Sequence, residues 1–338
     1  MDVVLALLIA TVCIALFFDY TNGFHDAANA IATSVSTQAL TPRVALVLAA
    51  LMNFAGSFLG VKVAKTIADI LAGFDDIVTP AHALVVVMSA LVGAIIWNLL
   101  TWYFGLPSSS SHALIGGLVG VGVAAGVAVD WHKVVEKVAI PMVVSPLLGF
   151  CGAFLVMTTI MWLFRRARPQ PVNRGFRLAQ VVSAAMLSLG HGLQDAQKTM
   201  GIIVLALFAA GRLPHTDHVP WYVVVGAATA ISLGTLSGGL RIMRTMGRRI
   251  VALTPPAGFA AELTASFVLY FMAIGQGAPV STTHTMATSV MGAGASRKFR
   301  AVRWGVARTI VTAWVITLPM AGLFGALSYA AMHFVLES

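Results

Sequence analysis

The sequence predicts an all-α, polytopic membrane protein made of two inverted-topology repeats with re-entrant helical hairpins. Three observations predict it: the composition, an internal duplication, and the charge of the loops. Of the 338 residues, 59% are hydrophobic and 10% charged, and the mean hydropathy is +0.90. A soluble domain carries roughly 25% charged residues, so water is not the main solvent of this chain. Residues 81–104 contain no Asp, Glu, Lys or Arg, and about 20 mostly apolar residues suffice to cross a bilayer. Residues 138–164 and 304–335 read the same way, with bends expected at Pro141, Pro146 and Pro319. Long unbroken apolar runs argue against a β-barrel, which needs short alternating strands.

The first apolar run, Val3 to Phe18, reads as a retained helix. It lacks the basic flank of a signal peptide, and a polar cluster follows it instead of a small-residue cleavage site. Cys13 and Cys151 lie in apolar runs and read as small core hydrophobes.

The duplication shows in two motif pairs. GFHDAANA at residue 23 returns as GLQDAQKT at residue 192, an offset of 169, which places Asp26 on Asp195 and Asn29 on Lys198. PSSSSHALIGGLVGVG at Pro107 returns as PVSTTHTMATSVMGAG at Pro279, an offset of 172, which places His112 on His284. Two unrelated motifs at nearly one offset divide the chain into a first repeat, 1–164, a basic linker, 165–177, and a second repeat, 178–338.

The net charge of +9 is concentrated. Thirteen of the 21 Lys and Arg fall in three acid-free stretches: Arg165 to Arg177, Arg241 to Arg249 and Arg297 to Arg303. Short basic loops between apolar spans mark the cytoplasmic side and favour anionic lipid, so the bilayer is the expected partner and nucleic acid is not. Shifted back by 172, the last two stretches fall on loops that hold Asp69, Asp75 and Asp76, or only Asp130, and no base. Equivalent loops of opposite charge lie on opposite sides, the signature of inverted repeats. Both termini are then expected outside.

The polar motifs carry the chemistry. Proline and serine open helices, and the first N–H groups of a helix have no partner within it. A hydroxyl-rich helix start at membrane depth is therefore an anion site. Ser108, Ser109, Ser110 and Ser111 form one such start, and Ser281, Thr282 and Thr283 the other. Asp26 and Asp195 stand in apolar surroundings, where an acid costs about 2.5–3.5 kcal/mol on insertion scales. Acids beside an anion site make sense when cations enter too, either sodium on carboxylate and amide oxygens or a proton on a carboxylate. Asn29, Gln194 and Gln197 can supply amide ligands, and Lys198 can neutralise Asp195 or bind the anion. His25, His191, His112 and His284 can relay protons. A structural Asp195–Lys198 pair, three residues apart on a helix, is the plainer alternative. Glu262 is a further buried-acid candidate, with an end-of-helix position near Pro255 and Pro256 as its alternative.

With GFHDAANA, HGLQDAQKTMGII, GLPSSSSHALIGG and GAPVSTTH in order over both halves, the chain resembles the PiT family of inorganic phosphate transporters. The resemblance implies phosphate held between hairpin tips and two broken helices, with a cation co-transported. Sodium-coupled relatives carry Asn before each motif Asp, whereas this chain has His25 and Gln194 there. The FHD form resembles the low-affinity bacterial members, which use protons and can carry phosphate as a neutral complex with a divalent metal. The expected function is thus a proton-coupled phosphate symporter of the plasma (inner) membrane, without cofactor or resident metal; a homodimer is one option for its assembly. Ser108–Ser111, Ser281–Thr283 and Lys198 would bind phosphate; Asp26, Asn29, Asp195, Gln197, His25 and Gln194 would couple the cation. Sodium coupling, a sulfate permease of the same fold and a passive anion channel are the alternatives. No GxxxxGK[ST] loop supports ATP-driven pumping. An enzyme is not expected, because Ser111–His112 is too deep and too duplicated for a nucleophile and base acting on phosphorylated lipids.

Overall fold

The computed structural model describes residues 3–71, 79–239, 242–243 and 245–337, without the side chains of residues 27, 28, 248 and 335–337. Asp75, Asp76, Arg241, Arg244 and the Arg248 side chain, which entered the loop-charge comparison, lie outside the described residues. Among the described residues the structure is helical and has no strand.

The first half contains α1 (Val3–Ser36), α2 (Pro42–Gly56), α3 (Lys62–Ala68), α4 (Pro80–Phe104), α5 (Ser110–Ala125) and α6 (Trp131–Leu163). The second contains α7 (Pro169–Ala209), α8 (Trp221–Ser237), α9 (Pro255–Gln276), α10 (Thr282–Ala295) and α11 (Trp304–Glu337). Five of these, α1, α4, α6, α9 and α11, are long and apolar enough to cross a membrane. Large apolar side chains such as Val143, Leu147, Leu155, Phe267 and Val315 are exposed on the outside, a surface that suits lipid and not water. Cys13 and Cys151 share that exposure, which corrects their expected place in the core. In a lipid-solvated protein an apolar residue gains nothing by turning inward.

Of the expected linker 165–177, only residues 165–168 are non-helical; Pro169 opens α7, and Gly175 is absorbed into it. Pro is favoured at a helix start, where its missing N–H is one of the unpaired ones anyway.

The two motif helices are not broken, contrary to what the resemblance implies. Asp26 and Asp195 lie well inside the continuous α1 and α7. The residues explain why. Asp19, Asn22, Asp26, Asn29 and Thr33 recur at spacings of three and four, one stripe of a helix. The side chains of Asn22, Asp26, Asn29 and Thr33 bond to other elements, and the backbone ladder needs no break. The two helices run antiparallel. Thr37 at the end of α1 donates to Gln180 near the start of α7 (2.6 Å), while Leu8 and Ile203 line one apolar cavity at the opposite ends.

Packing is exchanged between the halves. α5 packs on α11 and α10 on α6, while α1 packs on α8 and α2 on α7. Glycines permit the closest crossings. A Cβ on Gly192 of α7 would lie 2.1 Å from the Asn53 carbonyl of α2, and one on Gly120 of α5 would lie 2.4 Å from Gly322 of α11. Each hairpin anchors an apolar core. Leu84, Leu91, Leu114 and Leu118 gather with Met200 and Ile202, and Leu269, Met286 and Val290 gather with Ile31 and Ile242.

Candidate anion and cation site

Both hairpin tips are built by the same local chemistry. Gly105 and Gly277 end α4 and α9 in the left-handed conformation, with φ of 65° and 60°. The chain then turns into Pro107 and Pro279, and Ser109 and Ser281 cap the next helices. Each cap hydroxyl accepts from the N–H of the histidine three residues on, at 3.2 Å for His112 and 3.1 Å for His284. The tips touch. Ser111 Oγ donates to the Val280 carbonyl (3.1 Å), and the His112 and His284 rings lie 4.7 Å apart, with His284 stacked on Trp314 at 3.9 Å. The Trp314 indole donates to the Pro107 carbonyl (3.0 Å) and holds the first tip in place. The helices that leave the tips end at different places. α5 ends against Leu71 and Val129, near Asp69 and Asp130, whereas α10 ends against Val251, beside Arg297 and Lys298.

The motif helices bring their stripes to the tips. Asp26 is buried at the centre of four donors. His25 Nδ1 lies 2.8 Å from Oδ1, Asn29 Nδ2 donates to Oδ1 (3.0 Å), Ser110 Oγ to Oδ2 (3.0 Å) and Thr283 Oγ1 to Oδ1 (3.1 Å). One donor hydroxyl comes from each tip. His25 Nε2 faces Thr101 (3.2 Å) and Ser108 (3.3 Å), and Asn29 also donates to Thr283 (2.6 Å). On α7, the buried Lys198 ammonium lies 3.1 Å from Asp195 Oδ1 and donates to Ser110 (3.1 Å) and Ser111 (2.9 Å). The plainer Asp195–Lys198 pair is therefore present, and the same lysine reaches the first tip. Asp195 Oδ2 accepts from Asn22 (3.3 Å) and lies 3.4 Å from His191 Nε2. Asp26, His191 and Asp195 each bring a ligand atom within 4.8 Å of the others, a gap of the right size for a cation.

The structure thus brings together Asp26, His25, Asn29, Asp195, Lys198, Ser108, Ser110, Ser111 and Thr283. Ser109 and Ser281 serve as caps, and Thr282 is buried beside them. Gln197 stands apart. Its Oε1 accepts from the N–H of Val63 (2.8 Å), so it caps α3 and does not join the acids. Gln194 leans on the carbonyls of Leu269 (3.4 Å) and Ala278 (3.3 Å) behind the second tip. Glu262 is no helix end. It is buried mid-helix and accepts from Thr33 (2.6 Å), Ser34 (2.5 Å), Gln180 (3.3 Å) and Ser183 (2.5 Å). Sequence reasoning missed Thr101 and the four donors to Glu262. The three- and four-residue spacing of Gln180, Ser183 and Leu187 with His191 was the available signal.

Residues 22–325 match the model of the phosphate transporter family. The chain belongs to the phosphate transporter family. A probable low-affinity inorganic phosphate transporter of Rhizobium meliloti is 50% identical over 99% of this chain and 100% of its own length. A probable low-affinity inorganic phosphate transporter of Bacillus subtilis is 43% identical over 99% and 100%. The solved structure of a sodium-dependent phosphate transporter superposes with a TM-score of 0.86 over 98% of this chain and 100% of that one. At 24% identity that likeness establishes the fold. As the family is one of transporters, the chain is not an enzyme.

Proposed function

We propose that this chain is a secondary active symporter of inorganic phosphate, coupled to protons, in the plasma membrane. One observation carries the reading: Ser110 and Thr283, one hydroxyl from each tip, both donate to the same buried carboxylate, Asp26. Those hydroxyls, the free N–H groups at the tips and the Lys198 ammonium are the donors that a phosphate needs. While Asp26 is a bare carboxylate, it holds them. A proton or cation on Asp26 weakens that hold, the hydroxyls turn to phosphate, and the charges of anion and cation offset each other. Phosphate without the cation would meet a bare carboxylate at close range, and the cation without phosphate would leave the tip donors idle. Coupling follows from this sharing of donors.

The proton is favoured over sodium by the His25–Asp26 pair. A ring N–H on a carboxylate at 2.8 Å holds a transferable proton where an amide would offer an oxygen ligand. A second reading has its own observation. The mixed nitrogen and oxygen set of Asp26, His191 and Asp195 suits a divalent metal that travels with phosphate as cargo.

The antiparallel α1 and α7, and the exchanged packing of the halves, support two inverted repeats with re-entrant hairpins. Alternating exposure would come from one repeat moving against the other. The basic residues by α10 and the linker would face the cytoplasm, with the termini outside. The test is reconstitution in liposomes with radiolabelled phosphate, under a proton gradient and then a sodium gradient, with and without magnesium and with excess sulfate as competitor. Uptake indifferent to both gradients refutes the symporter. Uptake driven by sodium alone refutes the proton.

A further inference from the structure

Asp26, Asp195, Lys198, Ser110 and Thr283 are each at most 1% exposed, so an ion reaches them only when an element around them moves. What holds those elements still is the same at both tips: a threonine from the other half. Thr66 on α3 donates to the carbonyl of Gly277 (2.8 Å). Thr245, which opens the short helical segment Thr245–Arg249, donates to the carbonyl of Gly105 (3.1 Å). Gly105 and Gly277 are the left-handed glycines at which α4 and α9 turn into the tips. The glycines are 172 residues apart and the threonines 179, so the contact recurs in space without recurring in register.

The bonds differ from the ordinary ones of helical threonines. Thr158, Thr159, Thr229 and Thr309 return their hydroxyls to the carbonyl four residues back. For Thr66 that carbonyl, on Lys62, lies at 3.3 Å, and the shorter bond goes to Gly277. The last carbonyls of a helix have no partner within it, and at membrane depth they need one. Lys62 adds a second bond to the same turn, from Nζ to the Ile274 carbonyl (2.7 Å), and a Cβ on Gly277 would lie 3.3 Å from Lys62 Cβ. The two holds stand by loops of opposite charge. α3 is followed by Asp69, which meets Lys133 beside Asp130. The Thr245 segment leads into Ile250, whose carbonyl accepts from the Arg303 N–H (2.9 Å).

We infer that Thr66 and Thr245 are positioning residues for transport, two latches that each hold one tip shut toward one side of the membrane. Thr66, with Lys62, closes the side of the acidic loops, and Thr245 closes the side of the basic ones. The inference deepens the symport reading and rests on it for one point, that the site opens to each side in turn.

The test has two arms. The first is amide hydrogen exchange of the purified protein in detergent. Thr66→Val keeps the shape and removes the hydroxyl, so exchange should rise about fivefold at residues 277–284 and stay as in the wild type at 105–112; Thr245→Val should do the reverse. Serine at either position should behave as the wild type. The second arm is phosphate uptake into membrane vesicles of each orientation. An opened latch raises the fraction of molecules competent to bind from its side, so half-saturating phosphate should fall about fivefold in one orientation for Thr66→Val and in the other for Thr245→Val. A merely structural defect would act on both orientations alike. Should a valine variant not fold, alanine at that position, or Lys62→Met on α3, carries its arm. Exchange that the valine variants leave unchanged, or raise at both tips together, overturns the latches; uptake altered equally in both orientations overturns their sidedness. A wild type that takes up no phosphate under any gradient sinks the symporter, and selective exchange would still establish the two holds.

Discussion

Lys198 offers the sharpest test of how the site is held. It is 1% exposed, and its ammonium lies 3.1 Å from Asp195 Oδ1. At that distance, and at an effective dielectric of about 20, the attraction is about 5 kcal/mol. Removing one partner of a buried ion pair costs about 3–5 kcal/mol, because the other charge is left uncompensated. Lys198→Met keeps the volume and deletes the charge, so Asp195 retains only Asn22 and His191 beside it. The apparent Tm in detergent should fall by about 5 °C. Asp195→Asn should cost a similar amount, since the ammonium is then the orphan. The double variant should recover most of the loss, with a coupling energy of about 3 kcal/mol. Transport separates the roles. The lysine also donates to Ser110 and Ser111, so half-saturating phosphate should rise at least about tenfold in Lys198→Met, and the second substitution should not restore it. A Lys198→Met variant that melts and transports like the wild type, or a double variant that loses the sum of the singles, refutes the reasoning.

Other expectations are simpler. Asp26→Asn keeps the shape and abolishes the negative charge that both tips share, so gradient-driven phosphate uptake into liposomes should drop about a hundredfold or more. His25→Asn replaces the proton-holding ring with an amide, and uptake should lose its response to an imposed pH gradient while gaining one to sodium; an unchanged pH response would show that His25 carries no proton. Gly120→Ala puts a Cβ 2.4 Å from the backbone of Gly322, and the α5–α11 crossing should lose about 1–3 kcal/mol, read as a lower apparent Tm. Gly175→Ala meets open space inside α7 and should leave the apparent Tm the same or slightly higher, which serves as the control.

How much of this was legible in the sequence depends on how local each cause is. The hairpin tips were legible because their chemistry is written within eight residues: a glycine, a proline, a cap hydroxyl and a histidine three beyond it. The acids were legible because an uncompensated charge in an apolar run is conspicuous. Gln197 misled because nearness in sequence was taken for nearness in space. Two residues on from Asp195, it lies about 200° around the helix and reaches α3 instead. The breaks implied for α1 and α7 did not materialise because a polar stripe can face a polar stripe on an unbroken helix. Glu262 was visible, but its partners come from two other helices, up to 229 residues away, and nothing local announces them. The cysteines show the limit of hydrophobicity as a guide: in lipid, apolar no longer means inside.

The paired motifs of the two halves match in sequence but differ at their polar positions, and on the proposed reading that difference is what suits the site to an anion. Asp26 and Asp195 are the same residue at matched positions, yet Asn29 answers to Lys198, His25 to Gln194 and Asn22 to His191. Had both halves kept the first pattern, the tips would face carboxylates and amides with no ammonium, and phosphate would meet net repulsion. Had both carried the lysine, each acid would be neutralised in place, and nothing would remain for a cation to do. With one lysine, the first tip is tied by charge, through Ser110 and Ser111, and the second by the neutral amide of Asn29 on Thr283. Charge-assisted bonds are roughly twice as strong as neutral ones. Thr283 is thus the more loosely held donor, and in the proposed symport the second tip would be the one freed at least cost by a positive charge on Asp26.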